Sequence, residues 1–263
     1  HAYNHDAFLA MFAEETEIVT TLVEQPAAQV MLRPENVARF DAVLFYDMSG
    51  IANAGLVHDD SNDTGQPTDD YRQSIEALIE SGKGIVMLNH ATCSWPEWPL
   101  WRQIHGSSFM LTEGEVFGDT VPGSGYAGGH GPLPNPSFTL SPVDASHPVT
   151  AGLDGGLTVA DEIYIKSNNF EANVLPLMRS DYEYVSSNFT APPMAPPEQQ
   201  EGWTHPGGSN LVVWANAAKN SPVVASDIGD SPGAFNNPGF RRLLKNSLQW
   251  VASADARQWA KQQ

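Results

Sequence analysis

The chain has 263 residues, with 13 Lys plus Arg against 31 Asp plus Glu, a formal net charge of −18. So acidic a surface repels a nucleic-acid backbone or an anionic membrane, and no apolar run approaches the roughly 20 residues that span a bilayer. Cys93 is the sole cysteine, so neither an intrachain disulfide nor a cysteine-based zinc cluster can form, and any metal must be held by His, Asp or Glu.

Alternating strand and helix signals dominate the first hundred residues, the pattern of a parallel sheet covered by helices. Asp6 to about Glu14 reads as a helix with Phe8, Leu9, Met11 and Phe12 apolar, and Glu17 to Val23 as a short strand rich in β-branched residues. Pro34 to Arg39 is a helical turn leading into Ala42-Val-Leu-Phe-Tyr46, a buried strand that stops at Asp47. Thr68 to Ser81 is the clearest helix: Tyr71, Ile75, Leu78 and Ile79 share one face, and Gly82 supplies a C-terminal stop. Next comes the glycine-led strand Gly84-Ile-Val-Met-Leu-Asn-His90, with Trp95, Trp98 and Trp101 close behind. Between Phe109 and Pro148 the texture changes, and the glycine- and proline-rich stretch Pro122 to Pro132 predicts an irregular lid or binding loop. A second loop, Ala191 to Gly208, carries Trp203 and His205. Strands resume at Asn210 to Trp214 and Pro222 to Ser226. A final helix runs from about Pro238 to Val251, with Phe240, Leu243, Leu244, Leu248 and Val251 as its apolar face. No internal repeat or linker interrupts the pattern, so residues 1–263 read as one domain.

Three predicted strands end in polar residues: Tyr46-Asp47, Asn89-His90, and Ser226-Asp227 followed by Gly229-Asp230. Ligands of open α/β sheets bind beyond the carboxyl ends of parallel strands, so these ends are expected to converge on one cleft. His90 is the leading candidate there for proton transfer or ligation, against the plainer role of a histidine bonded to a backbone carbonyl. Taken singly, Asp47, Asp227 and Asp230 read as turn formers or caps. Trp95, Trp98 and Trp101 recur every third residue, a stripe that more often packs a core; Pro96 and Pro99 interrupt it and leave room for an indole to face a sugar. Asp161-Glu-Ile-Tyr164 sets two carboxylates beside an aromatic ring. Glu162 is there either a structural hydrogen-bond hub or a general acid/base whose pKa its setting raises. His1 and His5 are candidate ligands for a divalent metal, zinc or manganese, provided that they share one helical face. A copper brace at His1 is disfavoured, because the enzymes that use one are antiparallel β-sandwiches. His130 in the glycine loop and His205 in the proline loop are candidates to close over a ligand, against the plainer reading of exposed loop histidines. A Gly-x-Ser-x-Gly elbow, a Rossmann fingerprint and a P-loop are all missing from the sequence.

Together, several motifs resemble the ThuA-like (trehalose-utilisation) family, whose fold is similar to the class I glutamine amidotransferases. They are His1-Ala-Tyr-Asn-His-Asp6, the Tyr46-Asp47 strand end, Gly84 to His90 with Ser94-Trp-Pro-Glu-Trp98, and His147-Pro-Val-Thr-Ala-Gly-Leu153. Asp161-Glu-Ile-Tyr164, Leu175-Pro-Leu, Gly229 to Phe235 and Asn237 to Leu244 complete the set. They keep the family's order along almost the whole chain. The resemblance implies a flavodoxin-like, class I glutamine amidotransferase-like three-layer α/β sandwich with a mostly parallel central sheet. It also implies a strand immediately ahead of His1, central in the sheet, that falls outside this sequence. The amidotransferases place a cysteine nucleophile at the position matched by His90, and Cys93 stands three residues too late to replace it, so glutamine hydrolysis is expected to be lost. Many relatives carry a histidine where this chain has Asp230.

The family is associated with disaccharide catabolism alongside dehydrogenases that oxidise a sugar ring to its 3-keto form. A 3-keto group acidifies the C2 proton, so a base can remove it while an acid helps expel the glycosidic oxygen from C1; the same proton removal can drive isomerisation. The resemblance thus implies elimination, hydrolysis or isomerisation of a 3-keto-disaccharide or glycoside, with His90 and Glu162 sharing the acid/base roles. Asp47, Trp95, Trp98, Tyr164, His130 and His205 would contact the sugar, and His1 and His5 would hold substrate or metal. The rivals are a non-catalytic sugar-binding module and a metal-dependent hydrolase. A small-molecule sugar is the expected partner, without nucleic acid or membrane and with homo-oligomerisation left open; the cytoplasm is the expected compartment, with the periplasm as alternative.

Overall fold

The computed structural model describes residues 5–51, 66–129, 132–192 and 195–263. Helix α1 (His5–Ala13) and the short turns α2 (Ala27–Met31) and α3 (Pro34–Val37) precede strand β1 (Ala42–Phe45). Helix α4 (Asp69–Ser81) and strand β2 (Gly84–Leu88) follow, then a 3-10 turn over Asn89–Thr92 and helix α5 (Pro99–His105). The middle of the chain contributes β3 (Gly114–Val116), β4 (Asp119–Val121), β5 (Gly125–Ala127), β6 (Ser137–Pro142), β7 (Leu157–Ala160), β8 (Ile163–Ile165) and β9 (Leu175–Ser180). The last third holds α6 (Pro197–Gln200), β10 (Leu211–Ala218), β11 (Ser221–Ser226), α7 (Pro232–Phe235), α8 (Pro238–Val251) and α9 (Ala254–Ala260).

Seven strands form one sheet in the order β1-β2-β11-β10-β9-β6-β7. The β1/β2 and β2/β11 ladders are parallel and the other four antiparallel, so five of the seven strands point one way and only β10 and β6 are reversed. Two further ladders, β3/β4 and β5/β8, stand apart from this sheet.

The strand period of two sorts β2 between the two faces. Ile85 and Met87 join Tyr71, Ile75, Leu78 and Ile79 of α4 and Trp101 of α5 in one core, while Val86 and Leu88 join Phe240, Leu243, Leu244 and Val251 of α8 in another. Capping residues start both long helices. Thr68 Oγ1 accepts from the Tyr71 amide, and Asn237 Oδ1 accepts from the Gly239 and Phe240 amides with Pro238 in the first turn. Gly84 has a packing reason: a Cβ there would stand 2.3 Å from the Val251 carbonyl oxygen at the end of α8.

Two expectations need correction. The stretch Pro122 to Pro132 is not wholly irregular, since it holds β5, whose three residues are too few to display a period; β3, β4 and β6 flank it. Residues 17–23, predicted as a strand, form none. A cavity of about 1370 Å³ lies between the segment 17–26 and β1, so the segment has no ladder to join. Val19 is accordingly 96% exposed and Leu22 47%. Strand β1 ends the sheet on that side, with Ala42, Val43 and Leu44 only partly buried. Among the described residues no helix is long and apolar enough to cross a membrane.

Candidate active site

Because β1, β2 and β11 are parallel, Phe45, Leu88 and Ser226 finish at the same edge, and the polar residues after them meet. Asn89 turns the chain sharply out of β2 with φ +43°, a left-handed conformation that asparagine tolerates better than most residues. Its amide Nδ2 donates to the Asp227 carbonyl oxygen at 2.8 Å, which ties the end of β2 to the end of β11. His90 follows on this elbow, its ring centroid 5.5 Å from that of Tyr46 beyond β1. The Trp101 indole N–H donates to the Ala91 carbonyl at 2.8 Å and fixes the elbow from the α5 side.

Glu162 arrives from the link between β7 and β8. His90 Nε2 lies 3.6 Å from Glu162 Oε2 and 3.2 Å from Asp230 Oδ1, and all three side chains are close to or fully buried. The Tyr164 hydroxyl sits 2.6 Å from Glu162 Oε2 and 3.0 Å from Asn89 Oδ1. That hydroxyl has one proton for two acceptors. A neutral Glu162 donating to the phenol oxygen, with the phenol donating to Asn89, satisfies all three groups together. The electrostatics agree: burial, then the nearby Asp230 carboxylate, push the Glu162 pKa up to about 8.

The neighbouring Asp161 holds this arrangement in place. Its carboxylate accepts from the backbone N–H groups of Gly229 (2.6 Å), Asp230 (3.2 Å) and Ser231 (3.0 Å), so the loop that carries Asp230 is hung from the residue beside Glu162. Burial raises Asp161 to about 6 in spite of these donors. The fully buried Lys166 Nζ meets Asp227 Oδ1 at 2.7 Å and lies 4.5 Å from the Trp214 ring centroid, a structural ion pair. Cys93 is buried, and its thiol pKa is raised well above the ordinary value by burial and by Glu162, which disfavours the thiolate needed for nucleophilic chemistry.

The glycine loop meets the site at Gly129, which has φ +58° and whose absent Cβ would lie 2.0 Å from Glu162 Oε1. Only glycine allows the loop to pass so close. His130 next to it lies outside the described residues, as do His1 and the side chain of His5. Asp47 and Trp95 line the 1370 Å³ cavity together with His90 and Tyr46. The Asp47 carboxylate accepts from Gln25 Nε2 (3.2 Å), Ser49 Oγ (3.1 Å) and Ser94 Oγ (3.3 Å), and burial raises its pKa. Trp98 packs in the core, stacked on Trp101 with centroids 6.0 Å apart, and His205 is buried where its backbone exchanges hydrogen bonds with Ser186; neither lines that cavity. Tyr164 is fully enclosed and reaches Glu162 and Asn89.

Sequence reasoning undervalued three positions. Asp230 reads singly as a turn former or cap, Asn89 as a residue that allows the sharp turn after β2 but not as a hydrogen-bond partner of Tyr164 and Asp227, and Asp161 as a companion of Glu162. The strand-end pattern Asn89-His90 beside Gly229-Asp230 was the available signal for the first two.

The family model described as trehalose utilisation matches residues 1–251. Among solved structures the chain is similar to a ThuA-like protein from Bacteroides uniformis, with TM-score 0.58 and 15% identity over 93% of this chain and 81% of that one. A ThuA-like protein from Parabacteroides merdae follows with TM-score 0.50, 18% identity, and 86% and 84% covered. A cytoplasmic protein from Salmonella typhimurium gives TM-score 0.53 and 12% identity over 94% and 86% of the two chains. A comparison with curated proteins returns no match. At these identities the structural likenesses speak to the fold alone, a flavodoxin-like α/β arrangement with helices on both faces of the sheet. The chain belongs to the ThuA family, whose description, trehalose utilisation, makes its role a carbohydrate-related one.

Proposed function

We propose that the protein acts on a 3-keto-disaccharide or 3-keto-glycoside by acid/base chemistry at the carbon next to the keto group. The observation that carries this reading is the meeting of His90, Glu162 and Asp230 at the carboxyl edge of the parallel strands, where His90 also lines a cavity of about 1370 Å³. In the elimination route the C2–H bond breaks, its proton passes to a base, and the electron pair moves toward the C3 oxygen. Collapse of that enolate breaks the C1–O bond, and a general acid protonates the departing oxygen. His90 suits the base, and Glu162, held neutral near pH 7 by burial and by Asp230, suits the acid. Isomerisation uses the same first proton transfer and returns the proton to a neighbouring carbon.

Incubation with 3-keto-trehalose or another 3-keto-glycoside, and with the unoxidised parent sugar, tests this. Release of free sugar from the keto form only is expected, with Glu162→Gln lowering kcat by about 10²–10⁴-fold. Saturable binding of the sugar without product, unchanged in Glu162→Gln, would instead identify a binding module.

A further inference from the structure

We propose that His90 Nε2, Glu162 and Asp230 together hold one divalent cation, zinc or manganese. The three side chains offer ligand atoms that all lie within 4.8 Å of one another. The imidazole nitrogen stands 3.2 Å from Asp230 Oδ1 and 3.6 Å from Glu162 Oε2. Ligands about 2.0–2.2 Å from a tetrahedral ion are about 3.3–3.6 Å apart, so the 3.6 Å separation falls within the edges of such a site and the 3.2 Å one just below them. One imidazole with two carboxylates suits zinc or manganese.

Charge points the same way. Two carboxyl groups face one imidazole in a place nearly closed to water, while the buried Lys166 is taken by Asp227. A divalent ion would offset the charge of Asp230 and, by its own charge, favour ionisation of Glu162. The ligands come from three separately anchored points, the elbow after β2, the link before β8 and the loop before α7. Three protein ligands leave a fourth position for water or a substrate oxygen, the arrangement of catalytic rather than structural metal sites. His1 and the side chain of His5 fall outside the described residues.

What the ion would do rests on the keto-sugar reading above. Beside a keto group it would stabilise the oxygen that gains negative charge when the C2 proton leaves; as ligands, Glu162 and His90 Nε2 would be deprotonated, so with the ion bound Glu162 would not be the general acid.

Metal-stripped full-length protein dialysed against Zn²⁺ or Mn²⁺, with bound metal counted by elemental analysis and Mn²⁺ followed by electron paramagnetic resonance, provides the test. About one ion per chain is expected, with binding on the order of tenfold or more weaker in Asp230→Asn and in Glu162→Gln. No stoichiometric binding by the wild-type protein, or equal affinity in the double variant, would overturn the proposal. Circular dichroism of the stripped proteins checks folding, and if a variant fails to fold the wild-type count decides. The count is independent of turnover: an ion bound without turnover keeps the site and removes the keto-sugar reading, whereas full turnover by metal-free protein removes the ion alone.

Discussion

Glu162 illustrates how one residue's role follows from its surroundings. An exposed glutamate would be ionised at neutral pH, yet this one is enclosed, faces a second carboxylate and touches a phenol, and its pKa rises to about 8. The backbone of Gly129 closes over it at a distance that admits no Cβ and in a left-handed conformation. Gly129→Ala must therefore displace either the loop or the Glu162 side chain. Turnover should fall at least tenfold, and thermal stability by about 1–3 kcal/mol. Steady-state kinetics beside a melting curve checks this, and a variant with wild-type kinetics would show that the loop does not set the carboxyl position.

At the scale of elements, the edge of the sheet beside β1 stands out. Strand β1 ends the sheet with a half-exposed apolar surface, where edge strands ordinarily carry charge or proline. Across a cavity of about 1370 Å³ stand residues 17–26, rich in β-branched side chains and without a ladder. The same edge explains what was legible in the sequence. Strands β2, β10 and β11 and helices α4 and α8 announce themselves, because each buries a full face and so displays its period. Residues 17–23 have the composition of a strand but no partner, and β3 to β5 have a partner but too few residues to show a period.

For the whole molecule, the parallel arrangement of β1, β2 and β11 converts three separate strand ends into one site, and that convergence could be read from the polar residues closing each predicted strand. Which acid completes it could not. Asp47, Asp227 and Asp230 look alike in the sequence, but the structure gives Asp47 to Gln25, Ser49 and Ser94, gives Asp227 to Lys166, and brings Asp230 to His90. Such pairings depend on contacts between residues far apart in the chain and leave no local pattern. The raised thiol pKa of Cys93 disfavours thiol catalysis at this edge, and the proposed function gives His90 after β2 a proton-transfer role instead. The most direct measurement of that claim is the fate of the C2 hydrogen of a 3-keto-glycoside followed by proton NMR in deuterated water. With the wild-type protein the C2 signal should be lost in step with turnover or exchange, and in His90→Ala this loss should slow by about 10²-fold or more. Retention of the C2 hydrogen during turnover, or its loss at an equal rate in His90→Ala, would contradict the account.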